Sequence, residues 1–442
     1  MRERRKSDYK KKTIGFYMFA MSKKLIKHAD LFDGKNEKLK ENVNIVIENN
    51  LVKEVFSGEI SEENFDEIID ASGLTAIPGL TDAHVHVSHN QSDRNYEARV
   101  DEMAVRSTRV AKDMLLRGFT TIRDAGGVTY GLKKNIDNGF IDGPRIYPSN
   151  AYISQTCGHA DKRHSPIAEH LPDGSWTSPT LQQHLNYVAD GPAEVLRAVR
   201  EQFILGASQI KIMAGGGVSS TYDPIQTVQF TYEEMKAAVD AAKDFGTYVM
   251  AHLYTPASIQ RAVKAGVKSL EHTNLMDDET ARIISETADV WVMPGPQFGR
   301  PIESHGDNQP ESILKKAAFV RAGEEIATEA INKYNLNIVF GTDSFGDPDY
   351  IEKHQLEDFS YFKKRFGSFK GLVAATGNVY ELTKLTTYQN PYPDGKIGVL
   401  EEGSYADILL VKGNPVIDLD ILADEDNIKL IMKDAKVYKN IL

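Results

Sequence analysis

A chain of 442 residues is longer than one hydrophobic core ordinarily supports, so a large domain with a smaller companion is expected. Its 41% hydrophobic and 26% charged residues match an ordinary globular protein, and 63 acidic against 52 basic residues leave a net charge of −11. That balance disfavours nucleic acid or an anionic membrane as partner, and the single cysteine, Cys157, excludes an internal disulfide and suits a reducing cytoplasm.

The opening stretch, MRERRKSDYKKKTIGFYMFAMSKK, is basic, but its apolar run from Ile14 to Met21 is short for a signal peptide and lacks a cleavage site. Residues 1–21 are therefore expected to be a disordered extension, with Met21 as an alternative start. No run approaches the roughly 18 apolar residues that a membrane span needs. Residues 22–77 read as strands, and VNIVIENNLVKEVFSG alternates and turns at Asn49-Asn50 as a hairpin does. GSYADILLVKG and IKLIMKDAKVYKN, near the other end, read the same way. Neither group can bury a face alone, so residues 22–77 and 397–442 are expected to combine into one small β-sandwich domain.

Across residues 78–396 the pattern becomes strand, loop, helix, repeated. Short apolar runs fall at Leu80–Val87, Thr120–Asp124, Arg145–Ile153, Ile210–Met213, Tyr248–His252, Val267–His272, Val290–Met293 and Asn337–Gly341. Amphipathic stretches separate many of them. In TYEEMKAAVDAAKDFG, Thr231 and Glu234 form a capping box. YVMAHLYTPASIQRAVKAGVKSLEH passes from strand to helix to strand with no spare residues. The fold class is α/β, and eight such units predict a (β/α)8 TIM-like barrel.

In such a barrel the chemistry sits at the C-terminal ends of the strands. The first run carries His84 and His86, two apart and so on one side of a strand. The fifth ends at His252, the sixth at His272, and the eighth is followed by Asp343. The fourth, in SQIKIMAGGG, holds Lys211. By itself that stretch reads as an edge strand with a solvent-facing lysine. Each of these residues has an ordinary structural explanation, but six of them at the strand ends of one barrel argue for a site. Imidazole and carboxylate are the ligand types for zinc and related divalent ions.

PGLTDAHVHV, IKIMAGGGV, MAHLYT, SLEHTN and FGTDS, in that order, resemble the binuclear-metal branch of the amidohydrolase superfamily. Within it the chain is most similar to the group of imidazolonepropionase-related prolidases, arginine carboxypeptidases and ochratoxinase, from about residue 22 to the end. The resemblance implies that His84, His86 and Asp343 hold one metal ion and that His252 and His272 hold a second. Lys211 would bridge the two as a carboxylysine, which forms from the neutral amine that burial favours. Zinc is the expected metal, although Mn, Fe and Co accept the same ligands. The implied reaction is hydrolysis of an amide C–N bond in a dipeptide, Xaa-Pro or similar, or in an N-acyl amino acid. Asp343 would take a proton from the metal-activated water and pass it to the leaving nitrogen. His159, in ISQTCGHAD, resembles a histidine that polarises the carbonyl or meets a carboxylate. Tyr222 resembles a tyrosine that contacts the terminal carboxylate. The expected partner is a small-molecule or dipeptide substrate, and the chain is expected to be a cytoplasmic homo-oligomer.

Several neighbouring features are weighed against this reading. Cys157 suggests a nucleophile, but a packed thiol is the expectation because a thiol enzyme leaves the metal set unexplained. GGGVSSTYDP lacks the Gly-Lys-Ser/Thr of a phosphate loop, so its glycines are expected to give close backbone approach beside the metals. Arg123 and Asp124 are expected to pair structurally at the barrel mouth. HADKRHSP is either a solvated charge run or an attraction for an acidic substrate end, and residues 294–312 could form a lid. Two other functions stay open: a mononuclear deaminase or imidazolonepropionase-type ring opener, and a non-catalytic scaffold. Lys211 argues against the first, as does Leu-Tyr-Thr after His252 in place of a His-x-x-Glu pattern; the complete ligand set argues against the second.

Overall fold

The computed structural model describes residues 22–90, 98–164, 169–171, 176–220, 222–295 and 310–442. The expected N-terminal extension and most of the 294–312 segment lie outside these residues. Among the described residues no helix is long and apolar enough to cross a membrane.

The two chain ends form one mixed sheet. Its strands run in the order Lys436–Asn440, Ile428–Lys433, Ile408–Lys412, Leu74–Pro78, Lys23–Leu31, Lys40–Glu48 and Leu51–Ser57, with Glu67–Asp70 also paired to Lys23–Leu31. The hairpin turns at Asn49-Asn50, where Asn49 takes the left-handed conformation (φ 57°) that asparagine tolerates. The expected sandwich is a single sheet folded back on itself. Val52 N–H donates to Ser404 O at 2.8 Å and Ala406 N–H to Asn50 O at 2.8 Å, which ties the edge strand Leu51–Ser57 to the segment just before Ile408–Lys412. Ile26, Leu31, Ile45 and Ile47 then share one buried core with Ile408, Leu410, Leu430 and Met432.

The remaining strands form the barrel. Leu80–Val85, Phe119–Asp124 and Arg145–Pro148 pair in parallel, as do Tyr152–Ser154, Ile210–Met213, Val249–Leu253, Ser269–His272 and Trp291–Pro294. The eighth stave is extended backbone that bridges Val292 to Ile338 on one side and Val85 to Ser344 on the other, closing the ring. The third run breaks in the middle rather than forming one strand. Pro148 has no N–H to donate, and Asn150 is left-handed (φ 55°), so pairing resumes only at Tyr152. Helices pack outside: Tyr232–Asp244 starts with the expected capping box at Thr231 and Glu234, and Pro256–Ala265 ends on left-handed Gly266. Residues on the outer side of the strands, such as Ile210 and Ile212, share a core with helix residues Ala238 and Ile259. Ala83, Met250, Met293 and Val339 fill the barrel interior beneath the mouth.

Candidate metal centre

Strand Ile210–Met213 lies between Tyr152–Ser154 and Val249–Leu253, so it is an interior strand and Lys211 is not at an edge. With Ile210 and Ile212 turned to the helices, Lys211 points into the barrel and is only 1% exposed. Its Nζ lies 3.2 Å from His84 Nε2, and among the described residues no carboxylate forms an ion pair with it. Burial pushes its amine down to about 8.

A register shift between Asp82 and Val85 interrupts the first strand, so Ala83 fills the interior while His84 and His86 both reach the mouth. His84 Nδ1 donates to Glu271 Oε2 at 2.7 Å, and His86 Nδ1 donates to the Gly126 carbonyl at 2.9 Å. These bonds leave a lone pair on each Nε2. The two Nε2 atoms lie 3.4 and 3.3 Å from Asp343 Oδ1. Three acceptor atoms facing one another repel unless a cation lies among them, and that is the donor set a divalent ion satisfies.

Glu271 is itself fixed. Arg123 Nη2 donates to both its oxygens at 2.9 and 3.1 Å, and Ser269 Oγ donates at 2.6 Å. Arg123 also donates to Ala83 O and Ser269 Oγ, so its pairing is structural, as expected, but its partner is Glu271 and it sits inside the barrel. Asp124 does not pair with it. Its carboxylate accepts from Val87 N–H and Gly126 N–H, and burial pushes it up to about 6.

Strand alternation places Ser269 and Glu271 inward and would turn His272 outward. His272 and Thr273 instead adopt positive φ (79° and 54°), which swings the imidazole back to the mouth. Asp343 is likewise left-handed (φ 51°). The ligand atoms of His84, His272 and Asp343 all lie within 4.8 Å of one another. Burial alone would raise the Asp343 carboxyl, but the surrounding imidazoles of His84, His86 and His272 hold it well below the usual carboxylate range. Burial pushes His272 down to about 4 and also lowers His84 and His252 well below the usual imidazole range. The His252 ring is 4.7 Å from that of His272, and its Nε2 lies 3.4 Å from Gly216 O, which leaves the lone pair on Nδ1.

His159 stacks on His252 at 4.3 Å between ring centroids, 21° from parallel. The glycines acquire a specific task here. A Cβ at Gly217 would fall 1.9 Å from His159 Cε1, and one at Gly216 would strike Pro224 O. The Tyr222 hydroxyl donates to Gly158 O at 3.0 Å and to Asp161 O, so it braces the Cys157–Asp161 turn rather than standing free. Arg163 spends its charge on Asp161, at 2.6 and 2.7 Å, which weakens any attraction by that basic loop. Cys157 is exposed, not packed, because its left-handed backbone (φ 57°) turns it outward.

Ser220, Asp223, Glu271 and Lys316 also belong to this site, though sequence motifs did not single them out. Glu271 had a faint signal, an acid within an apolar strand beside His272. Lys316, on helix Glu311–Ala322, had none; its Nζ donates to the carbonyls of Gly217, Ser220 and Asp223 at 3.0, 2.8 and 2.5 Å.

A closed α/β barrel with histidines, a lysine and an aspartate gathered at its mouth is the architecture of a metal-dependent hydrolase. Residues 75–438 match the amidohydrolase family, and the chain belongs to it. Ochratoxinase of Aspergillus niger is 30% identical over 377 residues, 82% of this chain and 75% of that protein. A prolidase crystallised with N-methylphosphonate-L-proline superposes with a TM-score of 0.85 at 31% identity, covering 95% of this chain and 100% of the other. A Xaa-Pro dipeptidase with methionine in its active site gives a TM-score of 0.81 at 32% identity, over 95% and 100%.

Proposed function

We propose that this chain is a binuclear metal-dependent amidohydrolase that cleaves the amide C–N bond of a dipeptide, Xaa-Pro or similar, or of an N-acyl amino acid. The observation that carries the reading is the convergence of His84 Nε2 and His86 Nε2 on Asp343 Oδ1, with His272 and the buried Lys211 Nζ alongside. His84, His86 and Asp343 would hold one ion, His252 and His272 the other, and Lys211 would lie between them. Neutral imidazoles and a carboxylate suit zinc best, and Mn, Fe or Co next. Bound there, the ions would supply activated water near neutral pH and polarise the scissile carbonyl.

The chain's own residues do the rest. Neutral Lys211 Nζ adds CO2, forming an N–C bond and releasing one proton, and so exchanges a buried amine for an anionic two-oxygen ligand. Asp343 takes a proton from the attacking water and hands it to the leaving nitrogen, which lets the C–N bond break without expelling an amide anion. His159, stacked on His252, would polarise the scissile carbonyl or meet a substrate carboxylate. To meet a substrate carboxylate, the Tyr222 hydroxyl has to leave the carbonyls of Gly158 and Asp161. Likeness to a prolidase and a Xaa-Pro dipeptidase supports the dipeptide class.

Elemental analysis of the purified protein should give about two divalent ions per chain. Chelation should abolish hydrolysis across a panel of dipeptides and N-acyl amino acids with varied C-terminal residues, and added zinc should restore it. One ion or none overturns the binuclear reading. Activity confined to cyclic amides or to deamination overturns the substrate class.

A further inference from the structure

We infer that Ser220 and Asp223 are positioning residues for His159, fixing its ring so that Nδ1 carries the proton and Nε2 is the atom offered to the substrate. The inference rests on the function proposed above, in which His159 acts on the substrate.

The bonding order is dictated by what each group can donate. Asp223 is an ionised carboxylate and can only accept. Gly217 N–H and Gln229 Nε2 donate to its Oδ2 at 2.9 and 3.2 Å, and Ser220 Oγ donates to its Oδ1. Ser220 has one hydroxyl proton, and Asp223 engages it, so toward His159 Nδ1, 2.8 Å away, the serine oxygen must accept. Nδ1 is therefore protonated, with Asp223 Oδ2 itself 3.5 Å from it. Nε2 makes no hydrogen bond to a described residue and remains for the substrate.

The surrounding structure is built to hold this order. Ser220, Asp223 and Gln229 are each about 1% exposed. Gln229 ties both ends of the relay, because its Oε1 accepts from the His159 backbone N–H at 2.6 Å while its amide donates to Asp223. Gly217 lets the imidazole lie flat on the backbone. Lys316 clamps the carbonyls of Gly217, Ser220 and Asp223 and stands 3.7 Å from Asp223 Oδ1. A turn needed only for chain reversal would not require a buried carboxylate aimed at a buried histidine.

Asp223→Asn tests the inference because the amide can donate where the carboxylate cannot. Its NH2 can supply Ser220, which then donates to Nδ1 and leaves the proton on Nε2. In holoenzyme labelled with 15N-histidine, the ring signals missing from His159→Asn identify His159. The wild type should show protonated Nδ1 and bare Nε2, and Asp223→Asn should reverse them. Ser220→Ala provides a second variant should Asp223→Asn not fold. On the dipeptide hydrolysed best, both variants should lose roughly 10- to 100-fold in kcat/KM with metal content unchanged. The same substitutions should cost almost nothing further in a His159→Asn background, which a merely structural role would not produce. A wild-type ring protonated on Nε2, or losses that add in full to that of His159→Asn, overturns the inference. If the wild type hydrolyses no dipeptide or N-acyl amino acid, the proposed function fails, and the 15N signals still decide the positioning.

Discussion

A primary amine buried in a protein either finds a carboxylate, loses its proton or changes chemically. Lys211 Nζ has His84 Nε2 at 3.2 Å and is pushed down to about 8, so the neutral amine that attacks CO2 is within reach near neutral pH. If a carbamate bridges the metals, Lys211→Ala should lower kcat by about 100-fold or more and reduce bound metal. Acetate or propionate should partly restore both, because a free carboxylate can enter the space left by the side chain. A variant with full activity and full metal would show that no bridge is needed. At this scale the sequence was informative about which side chains gather at the barrel mouth and silent about what aims them. His84, His86, Lys211, His252, His272 and Asp343 are legible because each sits on or just after an apolar run that forms a barrel stave. Asp223 and Lys316 are far apart in sequence, on a turn and a helix, and their shared task exists only once the chain is folded.

The strand Ser269–His272 shows why an element carries more than its motif. Period-two alternation correctly sends Ser269 and Glu271 inward, but it also predicts that His272 faces away from the site. Only the left-handed backbone at His272 and Thr273 brings neighbouring residues to the same place, and SLEHTN contains no glycine to announce it. The broken third strand eluded the pattern for a similar reason, since an apolar run does not reveal a left-handed Asn150. Strands, capping box and hairpin were legible because periodicity and turn chemistry are local. Glu271 joins the first, second and sixth strands through His84 and Arg123, so its charge bears both on stability and on how His84 is aimed. Glu271→Gln keeps the shape but leaves the buried Arg123 guanidinium without a countercharge. It should destabilise the fold by about 3 kcal/mol in urea titrations. The amide can also donate to His84, which would free the opposite tautomer, so metal affinity should fall roughly 10-fold or more in a chelator competition. Wild-type stability together with wild-type affinity would mean that Glu271 only fills space.

At the scale of the whole molecule, the terminal sheet and the barrel are joined at the start of the strand whose other end carries His84 to the barrel mouth. Strand Leu74–Pro78 of the sheet is separated by Gly79 alone from the barrel strand Leu80–Val85, which carries His84 and leads into His86. Gly79 N–H donates to Asp407 O at 2.8 Å, and a Cβ there would overlap Thr120, so the junction has no slack. Arg145, on the third barrel strand, secures the same junction from the other side. Its buried guanidinium pairs with Asp407 and Asp434 of the sheet and lies 3.9 Å from the Tyr405 ring centroid. Removing the cation would strand the Asp407 carboxylate, which is buried, and cost less at Asp434, which is partly solvated. Arg145→Ala should therefore lower stability by about 3 kcal/mol, seen as a reduced urea midpoint with an unchanged slope if sheet and barrel unfold together. The contacts of Arg145 are to Asp407, Asp434, Tyr392 and Tyr405, away from the candidate metal centre, so kcat of the folded fraction should stay near the wild-type value. An unchanged midpoint would mean that the ion pairs contribute nothing at the junction. Two separate transitions would mean that the sheet unfolds without the barrel, and that the strand bearing His84 and His86 is held by barrel pairing alone.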